Sequence, residues 1–225
     1  MRRAVFAEGL GSMLLAAAVI GSGIMAQRLT GDGAAALLAN TLVTAAMLAV
    51  LIGVLAPISG AHFNPAVSLV SLLRGHLTLP AAAAYVVAQS IGCCLGAALA
   101  HAMFELPLIQ TATHARAGLG QLISELVATA GLITAVLSCT SSRQVAWRVP
   151  AWIGAAYWFT ASTSFANPAL TAARALSDTF AGIRPVDVPA FIAMQALGAL
   201  AGLVVARWLF SADKHTAVAA DTAQE

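Results

Sequence analysis

The sequence predicts an all-α membrane protein: six transmembrane helices plus two re-entrant half-helices, arranged as an inverted repeat. Three observations carry this. Of 225 residues, 60% are hydrophobic and 9% charged, and the mean hydropathy is +0.87; soluble domains carry about 25% charged residues. The tripeptide Asn-Pro-Ala occurs twice, at Asn64-Pro65-Ala66 and Asn167-Pro168-Ala169, each in an apolar, small-residue setting. The two halves of the chain also repeat one another's polar residues.

Long apolar runs at about 4–26, 34–56, 81–103, 119–139, 147–161 and 187–209 give six spans, each near the ~20 residues that cross a bilayer. The fifth looks short because Ser and Thr thin it. The first follows Arg2 and Arg3, as a signal peptide would, but Glu8 interrupts its apolar stretch and the segment has a counterpart later in the chain. Segments 57–80 and 162–186 remain largely apolar and each holds one Asn-Pro-Ala. Asn is a preferred N-cap and Pro fits the first helical position, so each tripeptide starts a helix. Non-helical backbone at membrane depth must be buried in protein or line a wet cavity. Both segments are therefore read as re-entrant loops leading into half-helices at about 65–74 and 168–178.

The first and fourth runs share a Glu followed by small residues (Glu8 with Gly9, Gly11 and Ser12; Glu125 with Ala128, Thr129 and Gly131). The third and sixth share Gln89, Gly92, Gly96 and Gln195, Gly198, Gly202 at identical spacing. Each half thus reads span, span, half-helix, span, over about 4–103 and 119–209. Three spans per half is odd, so the second half enters the membrane inverted, and the functional site falls between the halves near the midplane. One membrane channel domain, 1–210, is expected, followed by a disordered cytoplasmic tail at 211–225. With the N-terminus cytoplasmic, that side holds seven Lys and Arg residues against four outside, which predicts a protein of the inner (plasma) membrane with both termini on the cytoplasmic side.

Net charge +2, with basic residues scattered, argues against a nucleic-acid partner. Cys93, Cys94 and Cys139 lie in apolar segments without metal-ligand spacing, so neither metal nor cofactor is expected. No nucleophile–base pairing appears at membrane depth, which argues against an enzyme. Two half-helix N-termini at one depth bring positive dipole ends and Asn amides together, an arrangement that passes neutral solutes and repels cations. A secondary transporter is also built from inverted repeats. Its ion coupling needs acidic or carbonyl-rich sites, and the spans hold only Glu8 and Glu125 as acids.

The stretch Ser59-Gly60-Ala61-His62-Phe63-Asn64-Pro65-Ala66-Val67, the Glu of spans one and four, and the Gln-x-x-Gly of spans three and six resemble the major intrinsic proteins, the aquaporins and aquaglyceroporins. The resemblance covers about 4–209. It implies half-helices meeting head to head, with Asn64 and Asn167 donating side-chain N–H groups to solutes in single file. It also implies that Glu8 and Glu125 brace the loops of their own halves, that His62 braces the loop near the cytoplasmic mouth, and that the channel is a homotetramer in the inner membrane. The family's second motif is usually followed by Arg; here Leu170 follows Ala169. Counting without gaps from the two Asn residues gives the remaining filter positions as Thr44, Ala155 and Ser164, a wide opening without charge. Arg174 lies one turn beyond Leu170, and Asp178 another four residues on, spaced to pair with it. A helix-surface ion pair under the outer vestibule is expected there; the other reading is a displaced ring of charge that discriminates ions. The run from Asn167 through Ile183 resembles a bacterial subgroup lacking the filter Arg and associated with arsenic-resistance gene clusters. Expected solutes are therefore small neutral molecules: glycerol-like polyols, arsenous acid or methylated arsenicals, with some water. A water-selective pore is the alternative.

Overall fold

The computed structural model describes residues 1–210; the expected tail at 211–225 lies outside them. Eight α-helices follow one another: α1 (Arg2–Leu29), α2 (Gly33–Ser59), α3 (Pro65–Leu73), α4 (Leu79–Met103), α5 (Leu119–Leu137), α6 (Ser142–Phe159), α7 (Pro168–Arg174) and α8 (Val188–Phe210), the last preceded by a single 3₁₀ turn at Pro185–Asp187. Five of the long helices are long and apolar enough to cross a bilayer, counting the 3₁₀ turn with α8. The sixth, α6, is thinned by Arg143, Gln144 and Arg148 in its first two turns. It starts earlier than its apolar residues indicate because Ser141 caps it, accepting from the Gln144 N–H.

The two halves pack in the same way. α1 lies along α4 and α5 along α8, while α2 and α6 meet across the halves. The crossings are close because the repeated glycines leave no side chain between helices. A Cβ on Gly92 would sit on the Gly9 carbonyl oxygen, and one on Gly96 on that of Met13. Gly198 and Gly202 meet the Leu126 and Ala130 carbonyls in the same manner. Small residues at such faces let helix backbones approach within membranes. Large apolar side chains such as Leu42, Val54, Ile91, Leu197 and Val204 face outward, as a helix bundle in lipid requires.

The short helices α3 and α7 start at Asn64 and Asn167 and touch each other in the middle of the bundle. Helix α3 runs close to its expected length. Helix α7 does not: it ends at Arg174 rather than 178. The segment between α4 and α5 takes up the backbone groups beyond it, with Gln110 N–H donating to the Leu176 carbonyl and Ala112 N–H to that of Ala175 (both 3.0 Å). Strap-like pairing replaces the last helical turn.

Candidate pore and its lining

Each half-helix N-terminus is built by its Asn. The Asn64 side-chain oxygen accepts from Ala66 N–H at 2.9 Å; that of Asn167 accepts from Ala169 and Leu170 N–H at 3.1 and 3.2 Å. The side-chain nitrogens then cross between the halves. Asn64 Nδ2 donates to the Ala166 carbonyl at 2.7 Å, and Asn167 Nδ2 donates to the Phe63 carbonyl at 2.8 Å. Neither amide NH₂ group is therefore wholly free to face a solute. Each gives one hydrogen to the opposite loop, because the residue before each Asn has left-handed backbone (Phe63 φ 49°, Ala166 φ 45°) that turns its carbonyl toward the other half. One hydrogen per amide remains.

Such left-handed geometry at non-glycine residues costs of order 1 kcal/mol or more each, and survives only where surroundings enforce it. Two fully buried carboxylates do so. Glu8 accepts from Ser59 Oγ (2.6 Å) and His62 N–H (2.9 Å) on one oxygen, and from Phe63 N–H (2.6 Å) and Gln89 Nε2 (2.8 Å) on the other. Glu125 takes Ser162 Oγ (2.6 Å) and Phe165 N–H (2.9 Å) on one, Ala166 N–H (2.9 Å) and Gln195 Nε2 (2.6 Å) on the other. The two sets correspond residue for residue. Gln89 also donates to Ser68 Oγ, and Gln195 to Thr171 Oγ1, which fastens each half-helix to the last span of its half. His62 places Nδ1 3.1 Å from Ser68 Oγ and lies edge-on to Tyr85.

A cavity of about 190 Å³ runs past Asn64 and Asn167. At one end lie Arg74, His76 and His62; toward the other lie Thr44, Tyr157, Ser164 and Leu170. Its lining includes residues 60–63, the hydroxyl-bearing Thr44, Tyr157 and Ser164, and apolar residues such as Leu15, Leu48, Ile153 and Leu170. Thr44 Oγ1 and Tyr157 Oη are 3.3 Å apart, and Ser164 Oγ has no protein partner. Among the described residues, no Asp or Glu lines this cavity.

Thr44, Ser164 and Leu170 all line the cavity, but Ala155 does not: it is exposed on the outside of α6. The inward face of α6 is Val145, Val149, Ile153 and Tyr157, one residue every helical turn. Ala155 falls between those turns, and Tyr157 occupies the position that gap-free counting assigned to it. The four-residue rhythm of α6 was the signal that picks Tyr157 out.

Arg174 and Asp178 are the second correction. They form no ion pair; among the described residues the ion pair is Arg184–Asp187. With α7 ended at 174, Asp178 faces the strap instead and accepts from Thr113 N–H and Oγ1–H, both at 2.8 Å, which holds its carboxyl below the ordinary carboxylate range. Arg174 is buried, donates Nε to the Ala181 carbonyl, and lies 3.3 Å over the Phe165 ring. Sequence reasoning missed Arg116, in the strap. It is 6% exposed, stacks 4.8 Å from the same ring and donates to the carbonyls of Gly182, Ser162 and Phe180. Burial pushes its guanidinium down to about 10, so it stays charged at neutral pH. No motif marks it, since its partners are backbone carbonyls from distant segments.

Residues 1–161 match the family model of the major intrinsic proteins. The chain belongs to the major intrinsic protein family. It is a membrane channel protein of that family, not an enzyme. It is 53% identical to the aquaglyceroporin AqpS of Rhizobium meliloti (strain 1021) over 211 residues, 93% of this chain and 91% of the relative. A probable aquaporin PIP2-8 of Oryza sativa subsp. japonica is 34% identical over 154 residues, 64% of this chain and 54% of that protein. The fold matches the X-ray structure of the aquaglyceroporin from Plasmodium falciparum with a TM-score of 0.68 at 21% identity, covering 92% of this chain and 94% of that one. The helical fold of this chain is thus shared, over nearly its whole length, with this structural neighbour.

Proposed function

We propose that this chain is a passive channel for neutral, hydroxyl-bearing solutes of glycerol size, with some water, and that Thr44, Tyr157, Ser164 and Leu170 form its outer filter. The observation that carries this reading is the lining of the outer end, where the hydroxyl-bearing Thr44 and Tyr157 meet the aliphatic Ile153 and Leu170 with no charged residue among them. A polyol slides past such a wall with its oxygens on the hydroxyls and its carbons on the leucines, replacing its hydration without a large apolar penalty. Water needs no apolar wall, and Leu170 leaves the opening without the charged donor that narrows a water-selective filter. The 53% identity to a protein named an aquaglyceroporin points the same way. Arsenous acid and methylated arsenicals belong to the same class of small neutral hydroxylated solutes and are proposed as further cargo.

Asn64 and Asn167 supply the central constriction, each offering its remaining amide hydrogen, while Pro65, Ala66, Pro168 and Ala169 hold the helix starts that aim their dipoles at it. Glu8, Glu125 and His62 act as loop braces in this account. All four oxygens of the two carboxylates accept hydrogen bonds from their own halves, which leaves neither Glu8 nor Glu125 free for ion coupling. The chain is placed in the inner membrane with both termini cytoplasmic, assembled as a homotetramer with one pore per subunit.

The test is solute flux into proteoliposomes holding the full chain. Uptake of glycerol and arsenous acid linear in concentration and indifferent to pH and Na⁺ gradients is the expected result. Saturable accumulation driven by either gradient would make it a transporter.

A further inference from the structure

A second cavity lies away from the pore, on the flank of the bundle where α1 begins and α2 ends. It is a groove of about 810 Å³ between the first turns of α1 and the last turn of α2. Phe6, Leu10, Leu55 and Ile58 line its body, and Arg2 and Arg3 line it where α1 starts. Phe6 is 71% exposed and Ile58 50%, so the protein's own described residues leave the apolar part uncovered. Neither arginine belongs to an ion pair among the described residues. The acids of those residues cannot supply one. Glu8 is fully buried and committed to the loop it braces. Asp32, Glu105, Asp178 and Asp187 lie at the opposite end of the bundle. Asp32 caps the start of α2, Glu105 follows the Phe104 carbonyl that receives Arg28, and the 178–187 segment meets Gln27 through the Phe180 N–H. Aligning the halves on Glu8 and Glu125 puts Leu119 and Gly120 where Arg2 and Arg3 stand. The repeat thus keeps its Glu, Gln and Gly but not the two arginines, so the fold itself does not require charge there.

We propose that this groove binds an anionic phospholipid of the surrounding bilayer, with its phosphate on Arg2 and Arg3 and an acyl chain along Phe6, Leu10 and Ile58. Such a lipid meets both parts of the groove at once. Its chain covers the exposed apolar side chains, and its headgroup brings the missing negative charge at the level where a span leaves the hydrocarbon. Guanidinium groups match phosphate with paired, charge-assisted hydrogen bonds. A second copy of the described chain fits the apolar part only, since it has no free acid to offer at this level. In the orientation proposed above, the site faces the cytoplasmic leaflet, whose surface carries the negative potential. The seat also touches the machinery of the pore. Ala7 in its lining precedes Glu8, and Pro57 and Ile58 precede Ser59, which donates to Glu8 at 2.6 Å. A lipid there clamps together the two helix ends from which the loop before Asn64 hangs. The site does not depend on which solute the pore carries.

The test uses the full chain carrying Phe6→Trp as a reporter, in bilayers of phosphatidylcholine and phosphatidylglycerol with each lipid brominated in turn. Bromine quenches a neighbouring indole, and the wild-type chain measured alongside gives the signal of the native tryptophans to subtract. Phosphatidylglycerol should be preferred at the reporter by roughly tenfold or more, the combined effect of two arginines beside an anionic headgroup. Arg2→Gln with Arg3→Gln should bring the preference to within about twofold of unity, while Arg2→Lys with Arg3→Lys should keep most of it. Equal quenching by the two lipids, or a preference that survives the double Gln variant, overturns the proposal. Quenching by neither lipid overturns it too, by making a second copy the cover of the groove. Loss of the preference in inorganic phosphate, but not in sodium chloride of equal ionic strength, overturns it in favour of a free-anion site. Asp213→Asn, Asp221→Asn and Glu225→Gln together should leave the preference unchanged; a marked rise makes segment 211–225 the occupant and overturns the lipid. Should the double Gln variant yield no folded protein, Arg3→Gln alone decides: a preference reduced several-fold supports the site, and an unchanged one overturns it.

Discussion

Replacing Glu8 by Gln keeps shape and removes charge, and the hydrogen-bond geometry fixes what this costs. One side-chain oxygen becomes an NH₂ and now faces donors. At the Oε2 position it would meet the Phe63 N–H and the Gln89 amide in the dry interior. At the Oε1 position it would meet Ser59 Oγ, which can rotate to accept, and the N–H of His62, a residue that borders the cavity. The glutamine therefore adopts the second orientation and orphans one N–H. A lost hydrogen bond to a charged group costs about 1.5–3 kcal/mol, which lowers the melting temperature of a chain this size by roughly 4–10 °C. Glu8→Ala strands the His62 and Phe63 N–H groups and Gln89 together, and should cost about 5 kcal/mol or more, enough to remove the folded channel. Thermal melts in detergent by tryptophan fluorescence, with glycerol flux as the functional check, measure both. A Gln variant that melts with wild type, or one as damaged as the Ala variant, would refute the bracing argument.

Gly92→Ala drives a methyl into the Gly9 carbonyl and should cost about 1–3 kcal/mol as overpacking, read as a lower melting temperature; Gly53→Ala, open on that side, is the control. Tyr157→Phe removes the hydroxyl beside Thr44 and should lower glycerol flux more than water flux, whereas Ala155→Val, on the outside of α6, should leave both unchanged in stopped-flow assays. Asp178 has a depressed pKa because the strap donates to its charged form. Its contribution is thus complete above its ordinary value of 3.8 and is lost as pH falls further, through the folded value. Amide exchange at 110–114, corrected for intrinsic rates, should accelerate below pH 4 in wild type, and Asp178→Ala should show the faster exchange already at pH 7.

What the sequence made legible was local. Asn followed by Pro starts a helix wherever it stands, so both half-helices and their meeting point followed from six residues. The Glu and Gln-x-x-Gly pairs could be matched by eye because each repeats at fixed spacing. The parts that were not legible depend on distant segments. Pairing Arg174 with Asp178 assumed four more residues of helix, and the strap at 110–112 removed them. Arg116 joins three carbonyls from two other loops, a pattern without any sequence spacing. The crossing of Asn64 and Asn167 onto opposite loops needed the left-handed backbone of Phe63 and Ala166, which no residue preference announces. Ala155 differs in kind: it lies outside the cavity, and the four-residue apolar rhythm of α6 places Tyr157 there instead.

The most direct test of the central claim is Leu170→Arg in proteoliposomes, with glycerol and water permeability measured by stopped flow on the same preparation. An arginine there narrows the uncharged side of the outer opening, so glycerol permeability should fall by at least about tenfold, a barrier rise of roughly 1.4 kcal/mol or more. Water permeability should change by less than about threefold. Equal losses of both, or unchanged glycerol flux, would contradict a pore whose cargo is set by the wide, neutral ring around Leu170.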